Sequence, residues 1–236
     1  PNGEIGAQAE VVYSIPKHTF FGGDYGTTVT VNYSNIYSID TAHVTTGSND
    51  DKYRYTSKYF SVGSQHLFED INVEISHAWS KSFKSILTVV QQTFNKNIVQ
   101  GKVGYDSLLR PLIVVLEGTY QFNARNALRF ELQHMSVEDV NYSEASPKDH
   151  GNWACALAEY TLNSHWFFTA FDEWNYGNDE VEKRIHYPST SITYVQSGTR
   201  LAVGYGKQRA GVLCVGGVCR LVPAADGFFL SLTSTL

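Results

Sequence analysis

Along much of this chain apolar and polar residues alternate one for one. Leu128-Arg129-Phe130-Glu131-Leu132-Gln133 sets Leu, Phe and Leu on one face and Arg, Glu and Gln on the other. At about 100° per residue these side chains would scatter around a helix; at 180° they separate cleanly, so the segment predicts a strand. The preceding segment repeats the pattern, with Leu112, Val114, Leu116, Tyr120 and Phe122 opposing Glu117, Thr119 and Gln121. The polar stretch Asn123-Ala124-Arg125-Asn126 links the two as a β-hairpin. The same reading predicts about eleven strands, near 5–15, 26–38, 66–80, 83–95, 108–122, 127–138, 152–162, 165–176, 186–196, 199–214 and 218–236.

Several of these segments exceed the five or six residues usual for globular strands. They match the roughly 9–11 residues that a tilted strand needs to cross a bilayer. The connections also sort by parity. Ser80-Lys81-Ser82, Asn123 to Asn126, Asn163-Ser164 and Gln196-Ser197-Gly198 are short, and they alternate with longer polar stretches near 39–65, 96–107, 139–151 and 177–185. Outer-membrane barrels have short periplasmic turns and longer outward loops. The fold class expected is therefore all-β, an antiparallel transmembrane β-barrel in the cell outer membrane, with residues 1–236 as a single domain.

On the face assigned to lipid stand Ala7, Ala9, Val11 and Tyr13; Val29, Val31 and Tyr33; Ile71, Val73 and Ile75. Trp166, Phe168, Ala170, Trp174 and Tyr176 follow, then Leu201, Val203 and Tyr205, and finally Phe228, Leu230 and Leu232. Asp172 is the charged exception. Arg or Lys at mid-bilayer costs ~2–4 kcal/mol, so scarce charge is what lipid contact demands. Trp79, Tyr120, Trp166, Trp174 and Tyr176, near strand ends, suit interfacial girdles. The opposite face is expected to line a lumen with Glu10, Glu74, Glu117, Arg129, Glu131, Glu159, Glu173 and Arg200. These groups would give either a weakly cation-selective pore or a salt-bridged plug. In a soluble antiparallel sheet the same polar face would simply meet water.

Composition sharpens this picture. Hydrophobic residues make up 42% of the chain and charged residues 17%, against ~25% charged in ordinary soluble domains. Yet the apolar run Leu112 to Leu116 falls far short of the ~18 residues of a membrane helix. Net charge is −5, which offers no basic footprint for nucleic acid. The start Pro1-Asn2-Gly3-Glu4 has no signal-peptide features, and an exported protein would have lost such a segment. Cys214 and Cys219 flank Val215-Gly216-Gly217-Val218, a spacing that suits a disulfide across the tip of a hairpin in an oxidising compartment. Cys155 has no evident partner and reads as a small packed residue.

No Walker loop, dinucleotide fingerprint, nucleophile elbow or His-Glu-x-x-His pair is present. Asp149-His150 with His134 and Glu138 could form a surface protease site, but such loop residues are common. Asn49-Asp50-Asp51 lacks most of the ~6–8 oxygen ligands of a Ca²⁺ site. No catalytic residue, metal or cofactor is assigned.

Parity carries a further expectation. A carboxyl terminus in the periplasm sends strand 218–236 downward and puts the Cys214–Cys219 tip outside. Strand 5–15 then also runs downward, so an odd count predicts a carboxyl-terminal portion of a larger barrel, completed by upstream strands or a partner chain. Pro223 is the weak point, since proline marks an edge, bulge or break. If 218–236 is two strands, the count becomes twelve and that expectation fails.

Glu10-Val11-Val12-Tyr13-Ser14-Ile15-Pro16-Lys17, Gly22-Gly23-Asp24-Tyr25-Gly26-Thr27, Asp70-Ile71-Asn72-Val73-Glu74-Ile75-Ser76 and Cys219-Arg220-Leu221-Val222-Pro223-Ala224 are similar to an uncharacterised family of Bacteroidota outer-membrane β-barrel proteins. The resemblance runs through most of the chain and implies further strands upstream. It carries no activity and no functional residues. The ending Phe228 to Leu236 departs from the aromatic last residue common in such barrels.

The leading expectation is thus a non-enzymatic channel or scaffold that contacts outer-membrane lipid and other outer-membrane proteins. A soluble surface-exposed β-sandwich binding glycan or protein is the second reading. A barrel enzyme acting at the outer rim is the third.

Overall fold

The computed structural model describes residues 3–43, 55–95, 98, 108–140, 151–178, 180–209, 211–215 and 218–234. The described residues include fifteen strands and a 3-10 turn, Val181–Lys183. In chain order the strands are β1 (Glu4–Ile15), β2 (Thr27–Ile39), β3 (Ala42–His43), β4 (Tyr55–Thr56), β5 (Val62–Ala78) and β6 (Phe83–Asn95). Next come β7 (Leu108–Asn123), β8 (Asn126–Val140), β9 (Trp153–Leu162), β10 (Trp166–Trp174) and β11 (Ser189–Gln196). The last are β12 (Thr199–Gln208), β13 (Gly211–Val215), β14 (Val218–Val222) and β15 (Ala225–Ser234).

Eleven of these form one antiparallel sheet in the order β1-β2-β5-β6-β7-β8-β9-β10-β11-β12-β15. No ladder joins β1 to β15, so the sheet is an open wall with two free edges among the described residues. Among the described residues the other sheets are two separate two-stranded pairs, β3-β4 and β13-β14.

The predicted segments 199–214 and 218–236 each divide. Strand β12 ends at Gln208, β13 and β14 form their own hairpin, and β15 pairs with β12. The second division falls at Pro223-Ala224, where proline cannot donate to a ladder. The first falls where Lys207 and Arg209 take the alternate positions that Leu201, Val203 and Tyr205 held, and the apolar alternation stops. Because both segments divide, the hairpin leaves the wall and the wall count stays eleven.

Short turns lie at one end of the wall. Ser197 (φ 46°) and Gly198 (φ 80°) make the two-residue link between β11 and β12, with both residues at positive φ as a type I′ turn requires. Asn123 Oδ1 accepts from the N–H of Arg125 (2.9 Å) and of Asn126 (3.0 Å), closing the β7-β8 turn. Ser80 Oγ does the same for Ser82 and Phe83. The stretch between β1 and β2 is longer and folds on itself, the His18 N–H reaching Gly23 O at 2.6 Å. It carries Phe20 and Phe21 exposed. At the other end lie the β10-β11 connection, the β13-β14 hairpin and the strand ends Ile39 and Val62, Asn95 and Leu108, and Val140 and Trp153.

Pro111 sits inside β7, which is paired on both sides, and the β6-β7 ladder is interrupted there between Gln91↔Leu112 and Phe94↔Leu109. The side chain of Gln91 spans this gap, its Nε2 donating to Pro111 O at 3.3 Å.

Candidate functional site

The ladder registers decide which side chains share a face, because directly opposed residues point the same way. One row runs Tyr13↔Val29↔Ile75↔Leu87↔Leu116↔Leu132↔Ala156↔Asp172 across eight strands. A neighbouring row runs Val11↔Val31↔Val73↔Val89↔Val114↔His134↔Ala154↔Trp174. On the later strands Phe168↔Ile192↔Val203↔Leu230 and Trp166↔Tyr194↔Leu201↔Leu232 continue the same face.

This face is uncovered. Within the wall Leu132 is 50% exposed and Ile192 47%, and the buried hydrophobic residues of the described chain are Leu67 and Ala202.

Aromatic rings bound the apolar face at both ends. Near the short turns Phe83, Tyr120, Phe122 and Tyr160 form a chain of ring contacts with centroids 5.0 to 6.4 Å apart, and Trp166 lies 4.7 Å from Tyr194. Near the long connections Trp174 contacts Tyr176 (5.4 Å) and stacks on His186 (4.8 Å), and Tyr205 meets Phe228 (4.9 Å). Asp172, the charged exception, lies 2.6 Å from His186 Nδ1 within this cluster. His134 Nε2 lies 2.6 Å from the Tyr176 hydroxyl. Beyond the band the same face becomes polar: Asn35, Glu69 and Thr93 oppose one another on β2, β5 and β6.

The other face holds the candidate lumen residues. By register Glu10, Glu74, Glu117, Arg129, Glu131, Glu159, Glu173 and Arg200 all stand on it. The structure brings three together. Arg129 Nη2 donates to Glu117 Oε2 at 2.9 Å and also to Glu131, which accepts from Gln133 as well. Glu159 accepts from Thr169 Oγ1 at 3.4 Å, and Glu10 from Asn32 Nδ2 at 3.4 Å. Arg200 is opposite Val195 and Thr233, away from these carboxylates. With Asp70 and Lys84 on this face as well, carboxylates outnumber cations there.

Glu173 belongs to a cluster that the sequence did not reveal. Arg209 Nη2 approaches Glu173 Oε1 at 3.7 Å, and its guanidinium lies 4.5 Å over the Trp153 ring. Trp153 in turn stacks on Tyr187 with centroids 6.3 Å apart. Nothing in the sequence near Trp153 points to Arg209; only the register of β9 to β12 does.

In β13-β14 the backbone register sets Cys214 directly opposite Cys219. Their side chains lie outside the described residues, as do Asn49-Asp50-Asp51, Asp149-His150 and the Glu138 side chain. Cys155 is a free, half-buried thiol on the polar face. Among the described residues no three His, Cys, Asp or Glu side chains group as metal ligands, and no helix is long and apolar enough to cross a membrane.

No curated protein matches this sequence. A family profile does match, over residues 1–236, and the chain belongs to that family, a family of unknown function (DUF6029).

Proposed function

We propose that this chain is a wall of an integral outer-membrane β-barrel, serving as a non-enzymatic channel or scaffold within a larger assembly. The observation that carries the reading is the uncovered apolar face running through all eleven strands, with no second layer to bury it among the described residues. In water such a face drives aggregation or association; against acyl chains it is the solvated surface.

Its dimensions agree. From Trp166 to Trp174 is the full nine-residue length of β10, whose end-to-end rise is roughly 27 Å at ~3.4 Å per step. At the usual tilt of ~35–45° that projects to about 20 Å, close to the ~25 Å apolar band of outer-membrane barrels. The aromatic clusters then fall at the two interfaces. Apart from the β1-β2 stretch, the separation of longer connections from short turns fits the outward and periplasmic sides. The polar face, rich in carboxylates, would favour cations in a water-filled lumen.

The test is washing of isolated membranes with alkaline carbonate and with urea. The integral wall stays in the pellet through both. Release into the supernatant contradicts the reading and favours a peripheral, water-soluble sheet.

A further inference from the structure

We propose that the connection between β1 and β2 is a lipid anchor, folded onto the apolar face so that Phe20 and Phe21 enter the membrane leaflet at the short-turn end. This rests on the membrane reading above.

Register places the connection. Thr27 opposes Ile15 and His77, and His77 opposes Ser85. This row lies two residues along each strand from Tyr13, Val29, Ile75 and Leu87, so its side chains stand on the apolar face. The connection is fastened to them. Thr27 Oγ1 donates its one proton to Phe21 O at 2.6 Å, and therefore accepts from His77 Nδ1, also at 2.6 Å. Gly23 lies against the same ring, where an added Cβ would stand 3.1 Å from His77 Cε1. Trp79 meets that ring edge-on at 4.4 Å and donates to Ser85 Oγ at 2.7 Å. Thr27 is buried although it belongs to the uncovered face, because the connection covers it.

The connection is also tied to itself. Gly23 N–H donates to Thr19 O at 2.9 Å and Gly26 N–H to Gly22 O at 2.8 Å. Thr19 Oγ1 donates to Pro16 O at 2.7 Å and accepts from Gly22 N–H at 3.0 Å. This frame holds Phe20 and Phe21 outward, 94% and 72% exposed, edge to face with centroids 5.0 Å apart. Rings already held in place lose little freedom on insertion.

A connection running straight on from its strands would present these rings to the periplasm. One bonded to Thr27 and His77 presents them beside the apolar band, next to Trp79, which makes lipid the occupant. His18 and Asp24, 3.6 Å apart and exposed on the same connection, limit the depth to the headgroup and upper-chain region.

The experiment places the fluorophore NBD on Phe20→Cys in the intact protein, with Cys155, Cys214 and Cys219 replaced by serine. The protein is reconstituted in phosphatidylcholine vesicles, and each variant is required to retain the β-sheet circular dichroism of the unsubstituted chain. Val89→Cys with the same label reports the middle of the apolar face. The Phe20 probe is expected to emit to the blue of its value in water and to lose more intensity to nitroxides high on the acyl chain than to deep ones. The Val89 probe should show the reverse order.

A Phe20 probe that emits as in water, quenched by aqueous iodide and not by nitroxide lipid, overturns the anchor alone when the Val89 probe is in lipid. A blue-shifted Phe20 probe that no nitroxide lipid quenches is buried against protein, a second copy included, and overturns it too. A Val89 probe in water removes the membrane reading and the anchor together.

Discussion

The two faces of the wall are made by the same strands, residue next to residue, and they are held in different ways. On the apolar face Val89 and Val114 oppose each other with no polar partner needed. On the polar face Arg129 ties β7 to β8 through Glu117 and Glu131. One face is selected for what surrounds it, the other for how its own groups satisfy one another. Substitutions placed one residue apart should therefore have very different costs.

The largest expected effect is from charge on the apolar face. Val89→Arg should lower folding stability in lipid vesicles by ~2–4 kcal/mol, as for basic residues at the midplane of barrel strands. Thr88→Arg, on the opposite face of the same strand, should cost far less. Guanidinium titration of the vesicle-folded protein measures both, and equal losses would erase the distinction between the faces.

A steric test comes next. Gly118 is opposed by Phe130, whose ring occupies the place a side chain would take: an added Cβ would lie 2.2 Å from the ring. Gly118→Val should displace the ring and cost about 1–3 kcal/mol, the usual penalty for overpacking. Gly118→Val combined with Phe130→Ala should recover part of that loss.

Arg129→Ala should cost less, about 1 kcal/mol, because the ion pairs are partly open to solvent and exposed pairs contribute little. Its sharper signature is in conductance. Removing one cation from a face already rich in carboxylates should raise cation preference, read as a shift in reversal potential across a planar bilayer under a salt gradient.

The smallest expected effect is at Cys214 and Cys219. A cross-strand disulfide in β13-β14 should give one mobility under non-reducing electrophoresis and another after reduction, a difference absent from Cys214→Ser. The stability of the wall should hardly change, since the hairpin is not part of its ladders.

Much of this architecture is legible in the sequence because a period of two survives burial on only one side. Leu128, Phe130 and Leu132 announce their face before any neighbour is known. The Arg129–Glu117 pair is nearly legible too, since a single tight turn fixes its register. The Trp153–Arg209–Glu173 cluster is not, because it depends on several successive ladders and on where β12 stops. The end of β12 was marked only by Lys207 and Arg209 at positions where apolar residues had been regular, a weaker signal than Pro223.

The strictly sequential strand order has a consequence for how the molecule is made. Each new ladder joins a strand to the wall strand completed just before it, so the chain segment to be closed at each step is a single connection. Loop-closure entropy grows only slowly with length, and local contacts favour rapid formation. The wall can therefore lengthen one hairpin at a time from a single growing border, with no distant segment needing to be found before the next strand is laid down.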